Sequence, residues 1–297
     1  MKRKSGLYAV AIGVVAFLVL CGTAMRAQDK WIFAPSPLME IRAHAGEPQE
    51  KHTIYTEDNF HWQGKLAPGQ TLEVIDTNGG IDASSSADDS SQVEGEKRGH
   101  GDEMKEAYVE VVEYSDGVTI CAVYARTPEQ GRCHRGSVHS DNSNGLWHNS
   151  RARIAFSMKV ARGVNVKTLT TNGDIHARGM NSVVEAATTN GSVDISTSEW
   201  ASARSTNGHI DISMGKAGWT GELHLATTNG GVSVTLPTSA AFDLHASTTN
   251  GGIHTDFPVT VEGTFGPKNV TGKVGGGGRE LRLATTNGGI EIKKSSA

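Results

Sequence analysis

The 297-residue chain is short of most things that mark a catalytic or nucleic-acid-binding protein. Aromatic residues make up only 6% of it, and there are three cysteines and eight prolines. The formal net charge is −4, with no basic block, and binding to nucleic acid needs a cationic footprint. There is no G-x-S-x-G, no H-E-x-x-H and no phosphate loop. Gly275–Gly278 is followed by Arg279 rather than Lys-Ser/Thr, so that run reads as a turn and not as a nucleotide cradle. No cofactor is expected. After the first 27 residues no stretch has convincing helical periodicity, and no Pro- or Ser-rich linker divides the regular part of the chain.

Glycine is abundant, at 36 residues. With few aromatics, that suits a turn-dense all-β chain. The glycines fall in a recurring stretch, TTNGGI in its commonest form. Its asparagines are Asn78, Asn172, Asn190, Asn207, Asn229, Asn250 and Asn287, followed by Gly79, Gly173, Gly191, Gly208, Gly230, Gly251 and Gly288. Three places after each Asn stands Ile81, Ile175, Val193, Ile210, Val232, Ile253 or Ile290. Upstream, apolar residues alternate, as in Leu223-x-Leu225-x-Thr227 and Leu281-x-Leu283-x-Thr285. Period-two alternation on both sides of Asn-Gly predicts two half-buried strands joined at a sharp turn, where Asn and Gly tolerate left-handed backbone. Repetition at about twenty residues indicates a stacked architecture. The expected fold is therefore an all-β, single-domain β-solenoid (β-helix), two strands per repeat, with identical residues stacked in ladders. A hairpin meander or β-sandwich is the alternative.

The flanks are read separately. Lys2, Arg3 and Lys4 precede an apolar run, Leu7–Met25, so residues 1–27 are expected to be a signal peptide or an N-terminal membrane anchor. Cys21 closes an imperfect lipoprotein box. Either way the rest is expected to be exported, to the periplasm, cell envelope or beyond, touching membrane only through this segment. Residues 28–64 read as an irregular tether or cap, and 65–293 as the repeat domain, with polar loops at 84–107 and 127–150. Asn144-Gly145 is a possible degenerate copy. The long gap between Asn250 and Asn287 predicts an inserted loop.

Candidate chemistry is sparse. Cys121 and Cys133 remain once the leader is removed, and exported pairs oxidise, so a bridge clipping the 127–150 loop is expected. Free thiols are one alternative. A zinc site adding His134 and His139 is the other, although that spacing matches no compact zinc motif. The outward column four after the Asn holds Asp82, His176, Asp194, Asp211, Ser233, His254 and Glu291. In a solenoid, Asp194 and Asp211 would sit on adjacent rungs about 5 Å apart, near the spacing of a retaining glycosidase pair. A solvated strand face is the plainer reading. His224 and His245 share a second outward column and are expected on neighbouring rungs, as a metal or pH-sensing pair or as surface filling.

The run from Ala161-Arg162-Gly163-Val164 through TTNGDI, TTNGSV, STNGHI and TTNGGV to the closing GGGRELRLATTNGGI resembles the bacterial putative-adhesin family of β-strand-repeat proteins, which carry T-x-N-G-x-[IV] repeats. The resemblance spans about Leu66 to Lys293. It implies an exported, non-enzymatic, β-helical envelope protein, and it brings no catalytic residue with it. The repeat and the export signal together lead us to expect binding of envelope or extracellular glycan or of a surface protein; a polysaccharide-acting β-helix enzyme and a structural or stress-sensing envelope component are the alternatives. Oligomeric state is left open. The candidate binding faces are those of His176, Asp194, Asp211, His254, His224 and His245.

Overall fold

The computed structural model describes residues 50–125, 127, 131–140, 152–261 and 266–296. The expected leader (1–27), most of the expected tether and Asn144-Gly145 lie outside the described residues. The described residues belong to one compact unit, Glu47–Ala297. No helix among them is long and apolar enough to cross a membrane.

The N-terminal strands are β1 (Lys51–Tyr55), β2 (Asn59–Gly64), β3 (Thr71–Ile75), β4 (Ile81–Ser85), β5 (Ser91–Arg98), β6 (Ala107–Tyr114) and β7 (Gly117–Tyr124). A hairpin, β8 (Gly131–His134) and β9 (Ser137–Ser140), precedes β10 (Arg153–Val160). The regular repeats supply β11 (Asn165–Leu169), β12 (Ile175–Met180), β13 (Val184–Ala187), β14 (Val193–Thr197), β15 (Ala201–Arg204) and β16 (Ile210–Met214). They continue with β17 (Glu222–Asn229), β18 (Val232–Leu236), β19 (Phe242–Asn250) and β20 (Ile253–Thr255). The chain closes with β21 (Thr260–Val261), β22 (Asn269–Val274), β23 (Arg279–Asn287) and β24 (Ile290–Lys294).

Each repeat is one rung. Its first strand lies in a 12-stranded sheet and its second in a 10-stranded sheet, with an apolar core between them. Neighbouring rungs pair in parallel and in register: Ile81 with Ile175, Ile175 with Val193, Val193 with Ile210, Ile210 with Val232, Val232 with Ile290. The two strands of a repeat therefore sit in different sheets, and the hairpin meander is excluded. The fold is a β-solenoid with Asn-Gly corners. Each fully buried Val or Ile of the inward columns contributes roughly 1.5–3 kcal/mol.

Three of the repeated residues have a direct structural cause. Two places before the Asn, a buried hydroxyl donates to the glycine carbonyl of the adjoining rung: Thr170 to Gly79, Thr188 to Gly173, Ser205 to Gly191, Thr227 to Gly208, Thr285 to Gly230 and Thr248 to Gly288, at 2.7–3.0 Å. The Asn side chains form an amide ladder, each Nδ2 donating to the Oδ1 of the adjoining rung at 2.7–2.9 Å. Glycine follows Asn because a Cβ there would overlap the backbone carbonyl of the neighbouring rung at every corner, Gly191 against Gly173 for example. Left-handed backbone is not the reason. Among the seven corner glycines only Gly230 has a positive φ.

The order of rungs in space is not their order in the chain. From the N-terminal end the corners run Asn78, Asn172, Asn190, Asn207, Asn229, Asn287, Asn250. The closing copy is inserted between two earlier ones, with β23 pairing in parallel with both β17 and β19. The segment expected as an inserted loop after Asn250 carries β21 and β22, which pair antiparallel at the outer side of β19 before the chain turns back. At the other end, β7 and β10 make a rung without an Asn-Gly corner, pairing in parallel with β3 and β4.

Two expected irregular regions prove regular. Residues 51–55 and 59–64, read as tether, are β1 and β2, paired antiparallel with β6 and β5. The expected loop 84–107 contains β5, sandwiched between β2 and β10, and a 3₁₀ turn at Gly101–Glu106. β5 escapes detection because its inward residues are Ser91, Val93, Gly95 and Lys97. A Cβ on Gly95 would press on Phe156 and Phe60, whose rings fill the space it leaves. Lys97 is buried and donates to the Thr56 carbonyl at 2.6 Å, and burial pushes its pKa down. The few rings gather at the ends: Tyr55, Phe60 and Phe156 at one, Trp219, Phe242 and Phe257 at the other.

Candidate functional site

The outer surface offers four places where side chains converge. The first is the carboxylate and imidazole column on the 10-stranded sheet. In space it runs Asp82, His176, Asp194, Asp211, Ser233, Glu291, His254. Asp194 and Asp211 are direct neighbours, as the repeat predicts. Asp194 is engaged, however. Arg178 donates to its Oδ2 from Nη2 at 2.5 Å and Nε at 2.9 Å, and His176 Nδ1 lies 3.8 Å away. Arg178 stands two places along the neighbouring strand, outside the column that sequence reasoning examined. Glu291 pairs with Lys293 at 2.6 Å, which holds its carboxyl below the usual range. His254 lies 3.5 Å from Asp256. The column is an exposed face in which Asp194, Glu291 and His254 are charge-paired, while Asp82 and Asp211 form no ion pair among the described residues. Asp194 is held by Arg178 rather than left free beside Asp211.

The second place corrects an expectation. His224 and His245 are not on neighbouring rungs, because the inserted closing rung puts Arg282 between them. Arg282 bonds Glu280 at 2.6 Å and pairs with Glu222. Glu222 also contacts His224, and His245 lies 3.3 Å from Glu280. Partial burial lowers the pKa of His224 against the opposing pull of Glu222. This is an ion-pair network, not a two-histidine ligand set. A shallow depression of about 390 Å³ beside it is lined by Asp243, His245, Thr271, Lys273, Gly278 and Glu280.

The third place is the β8–β9 hairpin, read as part of the 127–150 loop. Cys121 and Cys133 are bridged. The bridge joins Ile75, Tyr108, Val112 and Val123 in a small second core on the outer face of the 12-stranded sheet. With both sulfurs bonded to each other, the zinc reading with His134 and His139 loses its thiolates. No cluster of three metal-capable side chains occurs among the described residues. The hairpin also covers two glutamates that point outward from the 12-stranded sheet, Glu73 and Glu110. Glu73 accepts from Thr119 Oγ1 at 2.9 Å and Gly136 N at 3.0 Å, and pairs with Lys167 Nζ at 2.9 Å. Glu110 accepts from Cys133 N at 2.8 Å and meets His52 Nδ1 at 2.7 Å.

The fourth place is the Asn-Gly corner itself. At its N-terminal end a groove of about 420 Å³ is lined by Asn78, Asn172, Asn190, Gly173, Asp174 and Arg153. Arg153 forms no ion pair among the described residues. Behind the corner, the first copy has Asp76 where the others have Thr or Ser. Its Oδ1 accepts from Tyr124 Oη (2.8 Å), Thr77 N (2.7 Å) and Asn78 N (3.2 Å), while Oδ2 is buried without a partner. Burial pushes the Asp76 carboxyl up to about 6 and the Tyr124 phenol far above its ordinary value. Sequence reasoning missed this pair. The signal was the break in the Thr column.

Residues 134–293 match the family described as Toastrack DUF4097. No curated protein matches the chain. Among solved structures, a putative cell adhesion protein from Clostridium sporogenes has a TM-score of 0.41 at 12% identity, over 84% of this chain and 100% of that one. A putative adhesin from Bacteroides fragilis has a TM-score of 0.33 at 9% identity, over 80% and 97%. Another from Parabacteroides merdae has 0.27 at 9%, over 79% and 96%.

Proposed function

The chain belongs to the Toastrack DUF4097 family, and we propose that it is an exported, non-catalytic, adhesin-like protein that binds a polysaccharide of the envelope or surroundings. The observation that supports this reading is the register of the outer columns. Rungs about 4.8 Å apart present the same polar positions again and again along one axis. Each contact of that kind is weak, and a polymer that engages many of them at once gains affinity by multivalency. A polymer is the ligand class that matches such a surface, which has rows rather than a deep pocket. The charge pairing around Asp194 supports a binding role over glycan cleavage.

The test uses the full chain against a panel of bacterial and plant polysaccharides, scoring retention and new reducing ends together. Retention without new ends is the expected result. New ends would overturn the non-catalytic reading, and the D194N/D211N double variant would then show whether those carboxylates do the cleaving. If no polysaccharide retains the protein while an envelope protein captures it, the glycan reading is replaced by a protein-binding one.

A further inference from the structure

The repeat T-T-N-G has four invariant or near-invariant positions, and the structure accounts for three of them. The first Thr bonds the adjoining rung, the Asn builds the ladder, and a Cβ at the Gly would collide with backbone. The second Thr is left over. It is Thr77, Thr171, Thr189, Thr206, Thr228, Thr249 and Thr286, without exception. These side chains point out of the 12-stranded sheet, half-buried in the first four and exposed in the last three. Backbone carbonyls of the column are engaged within the ladder, as in Asn172 N to Thr77 O at 2.8 Å and Asn190 N to Thr171 O at 2.7 Å, and Thr249 O accepts from Lys268 Nζ at 2.7 Å. Their hydroxyls form no hydrogen bond with protein among the described residues.

Strand propensity alone does not explain the column. Thr, Val and Ile are all favoured in strands, and an exposed position that needs only propensity drifts among them. The next outward column along the same strands does drift: Ile75, Leu169, Ala187, Arg204, Ala226, Ser247 and Ala284. A fixed residue with a free hydroxyl, at the one outward position adjoining the amide ladder, indicates selection for something outside the protein.

We infer that the Thr column and the Asn ladder beside it are the seat of the polymer. A linear, uncharged pyranose glycan would lie along the solenoid axis, with about one sugar per rung. The inference rests on the glycan-binding reading above and names its site. Three features of this strip fix the occupant. The two rows themselves carry hydroxyl, methyl and amide groups and no charge, so they complement a neutral polymer, with Arg204 in the adjoining column and Lys268 Nζ at the Thr249 carbonyl bordering them. The rungs repeat at about 4.8 Å over six steps, a strip of about 29 Å, and the step is close to the length of one pyranose in an extended chain. The strip also runs into the groove at Asn78, Arg153 and Asp174, which offers fixed donors and an acceptor for a chain end. Asn78 is the end of the amide ladder where no further rung takes up its Nδ2.

The test measures retention of the full chain by cellulose and chitin as neutral polymers, and by alginate and chitosan as charged ones. It compares the wild type with a fivefold variant, T171V/T189V/T206V/T228V/T286V. Valine keeps the branched shape and the strand preference and removes only the hydroxyl. The expected result is retention of the wild type by a neutral polymer, at least tenfold stronger than by either charged one. The variant should lose at least tenfold while keeping its melting temperature. If the fivefold variant does not fold, the T189V/T206V pair is used, with a loss of at least threefold expected. Undiminished retention of a folded variant overturns this inference and leaves the glycan reading standing. Retention by a charged polymer alone does the same, moving the site to the charged columns. No retention of the wild type by any polymer overturns both.

Discussion

The middle of the solenoid and its N-terminal end solve the same problem by opposite means. From β11 to β18 every rung repeats its neighbour, and stability comes from ladders in which one residue type bonds to itself. From β1 to β10 only the β3–β4 copy at Asn78 repeats. Antiparallel strands, a disulfide, two buried glutamates and an aromatic cluster close off the stack. The comparison teaches where each kind of residue is needed. A periodic array is built mainly from aliphatic residues with Thr, Asn and Gly at the corners, because a neighbouring rung of similar shape is always available. An end has no such neighbour and must be built from individual contacts.

The sharpest way to break the periodic half is to remove its closing copy. Deleting residues 279–297 removes Leu281, Leu283, Ile290 and Ile292, all fully buried, and also separates the Asn250 rung from the Asn229 rung. At roughly 1.5–3 kcal/mol per side chain the direct loss alone approaches the 5–15 kcal/mol that holds a typical protein together. The truncated chain should show no cooperative thermal transition by circular dichroism.

Next comes a pair of glycine substitutions. Gly191→Ala forces a methyl into the Gly173 carbonyl and should cost several kcal/mol, about 3 or more, in denaturant unfolding. Gly252→Ala, two places beyond a corner Asn, meets nothing within 4 Å and should stay within about 0.5 kcal/mol of wild type. Equal effects would mean that close stacking does not set the glycine column.

The N-terminal end is probed by reduction. The Cys121–Cys133 bridge closes a short loop, and opening it should cost about 3 kcal/mol. The loss should appear as a lower melting temperature in reductant, with exchange protection falling first in β8 and β9.

Asp76 gives a pH signature that separates the first rung from the others. Its folded pKa of about 6 lies above the ordinary value of 3.8, so the fold favours the neutral carboxyl. Its contribution is complete below about pH 4 and is lost as pH rises through 6. At 1.36 kcal/mol per unit the group should remove up to about 3 kcal/mol of stability between pH 4 and 7. Asp76→Asn can still accept from Tyr124 and offers a donor in place of the unpartnered Oδ2. It should flatten this dependence and raise the melting temperature above pH 6. The smallest effect is expected from Arg178→Ala. Its exposed pair with Asp194 should be worth at most about 1 kcal/mol and less in salt.

What was legible in the sequence follows the same division. The ladders could be read because stacking demands identity, so seven copies of one motif gave corners, strands and inward columns at once. The order of the rungs could not be read, since identical copies are interchangeable as neighbours. The long gap before Asn287 therefore looked like a loop, and His224 and His245 looked adjacent. β1, β2 and β5 were missed because an antiparallel cap strand owes nothing to the repeat, and Ser91, Gly95 and Lys97 do not announce a buried face. Glu73 and Glu110 alternate outward. Only the hairpin lying over them makes them buried, and no local pattern encodes that cover. The seat proposed for the polymer was in plain sight as the second Thr, but its hydroxyl stands out only once the roles of its three companions are known.

The inserted last rung has a consequence for how the protein comes into being. A solenoid whose rungs follow the chain can fold as it emerges, each copy docking on the one before. Here the Asn250 copy is synthesised while the place next to Asn229 still belongs to a segment not yet made. The rungs from Asn78 to Asn229 can stack in chain order, but the last two are completed only once β23 and β24 are made.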